Sequence, residues 1–149
     1  MQAKIGNREP KMSILFAITP EFRLQAEWML QYLTGIDHPG LEVLFSVTSG
    51  EPFKEQPAKN LLAANAKTPY LAFTNCGIYP PYSLIERTLL ELDRRPEAMC
   101  LAMRLDGTKD YGVFPNPFAL GDWQCMKRDA FEKLGGYDEE LHQAGGIEN

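Results

Sequence analysis

Few residues of this chain have the type and spacing to do chemistry. Most of those that do are polar residues closing short apolar runs. Three such runs end at Thr19-Pro20-Glu21, Thr48-Ser49-Gly50 and Asn75-Cys76-Gly77. If the runs are strands of one open α/β sheet, the three tripeptides share its carboxyl edge, where such sheets bind ligands. The same residues are ordinary turn formers, so the pattern places a site without naming a reaction. The histidines form no metal pair. His38 sits in an Asp-His-Pro-Gly turn and is expected at the surface, and His142 stands in a polar, acidic tail. No GxGxxG, GxxxxGK[ST] or GxSxG is present, which removes the common phosphate loops and the nucleophile elbow. Cys76, Cys100 and Cys125 are odd in number and make no CxxC. Neither a zinc knuckle nor a disulfide framework is expected, and a reducing, cytoplasmic setting fits.

The elements that must hold these residues follow from periodicity. Residues 13–18, 41–47 and 70–73 are continuous apolar runs of strand length, the pattern of strands buried on both faces. Between them lie helical repeats. From Phe22 to Leu33 the apolar positions are Leu24, Trp28 and Tyr32, with Ala26, Leu30 and Leu33, and Gly35 is expected just past the end. Pro57 suits the first turn of a short helix through Lys67 with Leu61 and Leu62 inward. After Pro80-Pro81, Ile85, Leu89 and Leu92 mark an amphipathic helix on which Arg87 and Glu91 can pair. Residues 98–103 predict a fourth strand, 104–121 a long loop, Trp123–Met126 a short strand, and Asp129–Leu134 a helix stopped by Gly135-Gly136. Strands alternating with helices predict an α/β sandwich with a mostly parallel sheet flanked by helices.

Composition bounds the function. The chain's 149 residues are 44% apolar, enough for one full core and too few for two domains. Basic and acidic residues number 15 and 20, giving −5 without basic clusters, which argues against nucleic-acid binding. No apolar run reaches membrane-spanning length. Residues 1–11 are polar and are expected to be a flexible tail without a signal core.

The order of motifs resembles the nucleotide-sugar-binding part of family 2 glycosyltransferases with the GT-A fold. Residues 14–23 are similar to that family's opening strand and loop, and Leu41–Phe45 to its second strand. Ala58-Lys59-Asn60 followed by Thr68–Phe73 resembles the helix and strand leading to its D-x-D motif. Gly121–Trp123, Lys127–Phe131 and then Gly135-Gly136-Tyr137-Asp138-Glu139-Glu140 resemble its late R..F...GGFDE segment. Glu148 falls where the family places an acid pair. The resemblance spans residues 12–149 and implies a GT-A-like, Rossmann-like domain, expected to lack its C-terminal part.

It also implies a reaction. A nucleotide-sugar donor loses a nucleoside diphosphate as its sugar passes to a carbohydrate-type acceptor. The family holds Mn²⁺ or Mg²⁺ on two carboxylates to neutralise the leaving group. A further carboxylate takes the acceptor proton. Glu148, then Asp138 or Glu139, are the acids implied for that role. Thr19, Pro20, Glu21, Thr48 and Asn75 are the implied donor-binding residues. Lys59 is placed either on the diphosphate or on a solvated helix face, and Trp123 either on a sugar ring or in the core.

The chain departs from the pattern where the metal belongs. Asn75-Cys76-Gly77 occupies the D-x-D slot, Val47-Thr48-Ser49 lacks the base-reading acids, and Asn149 follows Glu148. A protein metal site is therefore not expected, although a diphosphate can carry in Mn²⁺ or Mg²⁺. Two readings follow: a glycosyltransferase, or a GT-A-like module that binds a nucleotide sugar or a protein partner without transfer.

Overall fold

The computed structural model describes residues 2–5, 10–36, 38, 40–48, 54–102 and 123–140. The three apolar runs are strands: β2 (Met12–Ile18), β3 (Leu41–Val47) and β4 (Tyr70–Thr74). They are adjacent and parallel, with β2 in the middle. All seven residues of β2 are buried, because a central strand covered by helices on both faces has no side to give to water.

The full sheet has six strands in the order β1-β3-β2-β4-β6-β5, where β1 is Gln2–Ile5, β5 is Met99–Leu101 and β6 is Trp123–Lys127. β1 runs antiparallel to β3, and β6 runs antiparallel to both β4 and β5. The sheet is thus mixed, not mostly parallel. Apolar patterning marks a strand but carries no information on its direction. Residues 2–5, expected in a loose tail, instead pair with Leu41–Leu44 along the outer edge of β3. Such an edge offers unpaired backbone groups that capture a short segment whatever its composition.

Helices cover both faces. α1 (Arg23–Gly35) and α3 (Tyr82–Arg94) pack on one face through Ala26, Met29, Leu33, Ile85, Leu89 and Leu92. There Phe16 and Phe45 stack with ring centroids 5.2 Å apart. α2 (Glu55–Asn65) covers the other face through Leu62 and Ala63, against Leu15, Leu44, Leu71 and Phe73. Phe131 of α4 (Arg128–Leu134) and Tyr137 join that cluster.

Several local expectations shift. A 3₁₀ turn, Pro20–Phe22, precedes α1, and Gly35 lies inside the helix, which Ile36 closes with right-handed backbone. Leu24 and Trp28 of the expected α1 stripe are exposed, as Met29 fills the core position instead. On α2, Leu62 points inward but Leu61 is 63% exposed, because the face turned to the sheet is the one that carries Glu55, Gln56, Ala58, Lys59, Leu62 and Ala63. Glu91 pairs with Arg94, at 3.5 Å, not with Arg87. Gly135 and Gly136 do stop α4, with φ of 84° and 77°, a left-handed stretch that glycine adopts without strain. The expected loop at 104–121 lies outside the described residues. No helix among the described residues is long and apolar enough to cross a membrane.

Candidate ligand site at the carboxyl edge

The parallel triplet brings the carboxyl ends of β2, β3 and β4 to one edge. Thr48 ties two of them together: its amide donates to Ile18 O at 2.8 Å, and its hydroxyl donates to the same oxygen at 3.4 Å. Thr19 therefore adjoins Thr48. The Thr19 hydroxyl is sealed from solvent and makes no hydrogen bond of ordinary geometry among the described residues. It still lies near enough to the exposed Glu21 carboxylate to hold that group below the usual pKa, with help from the Glu21 amide. Pro20 opens the 3₁₀ turn that carries Glu21 outward. Asn75 follows β4 in a turn in which Ile78 N donates to Asn75 O at 3.3 Å and Gly77 takes φ of 90°.

An open groove of about 570 Å³ begins at this edge. It runs from Arg23, Ser46 and Val47 along β3 and α2 past Leu61 and Leu62 to Asn65 and Lys67. Two exposed cations, Arg23 and Lys67, flank an apolar floor. Such a groove suits a ligand with anionic and apolar parts.

The other expected site residues fall elsewhere. Lys59 is neither solvated nor available to a diphosphate. It is 2% exposed, paired with buried Glu55 at 3.0 Å, and sits 5.2 Å from the Tyr137 ring centroid. Trp123 is 1% exposed and donates from Nε1 to Thr88 Oγ1 at 3.2 Å, so it belongs to the core and stacks on no sugar. His38 is buried, contrary to its turn-like sequence. Its Nε2 lies 2.5 Å from Glu86, its Nδ1 accepts from Gly40 N at 3.1 Å, and its ring packs on Tyr82. Asp138 is exposed and accepts from Glu140 N at 3.0 Å, closing a local turn. Glu148 and His142 lie outside the described residues.

Glu139 joins a construction that sequence reading missed. The side chain of Asn60 on α2 accepts from Tyr137 N at 2.9 Å and donates to Tyr137 O at 3.0 Å and to Glu139 Oε2 at 2.9 Å. Tyr137 then donates from its hydroxyl to Gln124 at 2.7 Å. Asn60, Glu139, Arg128 and Phe131 line a second cavity, of about 330 Å³, between α2 and α4. The only sequence signal was a polar helix start, Glu55-Gln56-Pro57-Ala58-Lys59-Asn60, with too few apolar residues for its buried position.

The Asn75-Cys76-Gly77 turn does not fit a hard divalent cation. It has one amide and no carboxylate, and burial raises the Cys76 pKa, keeping its sulfur a protonated thiol. No cluster of three metal-ligating side chains occurs among the described residues. Comparison with known proteins finds no matching family model and no matching curated protein.

Proposed function

We propose that the chain is a GT-A-like nucleotide-sugar-binding domain of the glycosyltransferase type. The observation that carries this reading is the docking of Tyr137 and Glu139 on Asn60. Two segments similar to that family, 77 positions apart in sequence, meet through three hydrogen bonds on one side chain. At the carboxyl edge half-buried Thr48 offers its hydroxyl to a nucleotide, and Thr19, whose own hydroxyl is sealed from solvent, contributes the backbone of the strand end. Arg23, on the same groove, is the cation offered to a diphosphate, in the role that Lys59 cannot fill. Among the described residues, no group of three metal-ligating side chains offers Mn²⁺ or Mg²⁺ a site. The acceptor-activating acid of this reading is Glu148 or Glu139, one carboxylate taking one hydroxyl proton.

The test is amide shift mapping with uridine or guanosine diphosphate, followed by donor turnover. Shifts centred on Thr19, Arg23, Thr48 and Asn75, reduced in Arg23→Gln, support the reading. Shifts confined to the His38 end of the sheet overturn it. A second reading, binding without transfer, is favoured by the turn at Asn75 with no carboxylate. It predicts the same shifts with no turnover, in this chain or in a C-terminally extended one.

A further inference from the structure

The widely spaced cysteines are brought together by the sheet. In the antiparallel pairing of β5 with β6, Cys100 stands directly opposite Cys125. Both side chains lie on the α1 and α3 face, where Cys125 is part of the core and Cys100 packs against it. Ala102 N donates to Trp123 O at 3.2 Å. Antiparallel ladders alternate, so Cys100 and Cys125, two positions along, form a hydrogen-bonded pair with Cα atoms about 5.5 Å apart. That spacing lies at the centre of the disulfide range, about 4.4–6.8 Å. Cβ atoms of such pairs sit at about 5.5 Å, wider than the ordinary bridge, so closing one requires β5 to move inward slightly. β5 is a three-residue edge strand, paired in the sheet on one side only.

We propose that Cys100 and Cys125 are a reversible dithiol modification site that closes to a cross-strand disulfide under a peroxide. Cys100, half-buried where Cys125 is fully buried, meets the oxidant first. Its thiolate attacks the peroxide O–O bond and becomes a sulfenic acid as hydroxide or water leaves. The Cys125 sulfur then attacks that sulfur, the S–O bond breaks, and water departs. Two S–H bonds are lost, one S–S bond forms, and the two electrons reduce the peroxide. Burial raises the pKa of both thiols, most of all that of Cys125, with Glu91 adding to the effect on Cys100. The reaction therefore quickens as pH rises toward the thiol range. The bridge fixes the edge strand β5 to β6 and closes residues 101–124 into a covalent loop.

The experiment treats the full chain with hydrogen peroxide at pH 8.5 (a condition chosen to raise the thiolate fraction, about one half for a free thiol). Peptides are then mapped by mass spectrometry without reduction. The expected result is a Cys100–Cys125 cross-linked peptide, formed equally in Cys76→Ser and absent in Cys100→Ser. Dithiothreitol reverses it. The oxidised chain is expected to melt about 5–10 °C higher than the reduced one, as loop closure restricts the unfolded state. A bridge through Cys76, a bridge between two chains, or over-oxidised Cys100 without a bridge would overturn the proposal. Because Cys100→Ser changes a partly exposed edge position, its folding is checked by its melting curve. The Cys76→Ser map decides the pairing independently.

Discussion

The carboxamide of Asn60 grips the backbone of Tyr137 from both sides, accepting from its amide and donating to its carbonyl. This is the bond pattern of a strand partner supplied by one side chain. It holds the glycine turn after α4 against α2 and, through the Tyr137 hydroxyl, against Gln124 on β6.

Asn60→Ala removes both bonds to the half-buried Tyr137 backbone, together with the third bond to Glu139. It is expected to destabilise the fold by about 1–3 kcal/mol in urea unfolding. Gly136→Ala should cost more than Gly135→Ala. Both positions have positive φ, but a Cβ at Gly136 would stand 2.7 Å from Asn60 Oδ1, whereas one at Gly135 meets nothing within 4 Å. The Gly135 variant therefore measures backbone strain alone, about 1–2 kcal/mol. Equal losses in the two would show that Asn60 does not pack against the turn.

The Glu55–Lys59 pair is buried at both ends, with side chains 5% and 2% exposed. Breaking such a pair leaves one charge uncompensated, so Lys59→Met is expected to cost about 3–5 kcal/mol. Removing both charges in Glu55→Leu/Lys59→Met should recover most of that loss. A double-mutant cycle by chemical denaturation reads the coupling directly.

Tyr70 donates its hydroxyl to Asp93, and its pKa is raised from 10.0 to about 12, first by burial and then by the carboxylate. A pKa raised on folding means that the neutral form is favoured in the native state. The stability it contributes is complete below pH 10 and is lost as pH rises toward about 12. Ultraviolet titration should show one late-ionising tyrosine, missing in Tyr70→Phe, whose alkaline unfolding then lacks this component. Normal ionisation of all six tyrosines below pH 11 would remove the Asp93 contact from the account.

The sequence carried the parts of this structure that local pattern encodes. Three apolar runs became the three parallel strands, Ile85, Leu89 and Leu92 became the buried face of α3, and Gly135-Gly136 ended α4. What it did not carry depends on partners far along the chain. His38 looked like a surface turn because Glu86, 48 positions on, is what seats it. Lys59 looked solvated because its partner ring, Tyr137, arrives with the last described turn. The directions of β1 and β6 are set by which edge each segment reaches. The candidate site was legible only as strand ends. Its groove along α2 to Lys67 depends on the exposure of Leu61, which helical spacing had placed inward.

The Asn75 turn makes a separate prediction about metal. A divalent cation gains most from anionic oxygen, and this turn presents an amide, a protonated thiol and a glycine. Calorimetric titration of the chain with Mn²⁺, without nucleotide, should show no tight site. A chain carrying Asn75→Asp and Gly77→Asp places two carboxylates at D-x-D spacing on the same turn. A Cβ at Gly77 meets nothing within 4 Å, although φ there is +90°, so the second substitution strains the backbone without a clash. Asp is among the residues that tolerate left-handed backbone best. The double variant should bind Mn²⁺ at least about tenfold more tightly, about 1.4 kcal/mol, with Asn75→Asp alone gaining less. A tight Mn²⁺ site in the unaltered chain, abolished by Asn75→Ala, would show that the turn recruits ligands other than carboxylates. The metal-free reading of the carboxyl edge would then fail.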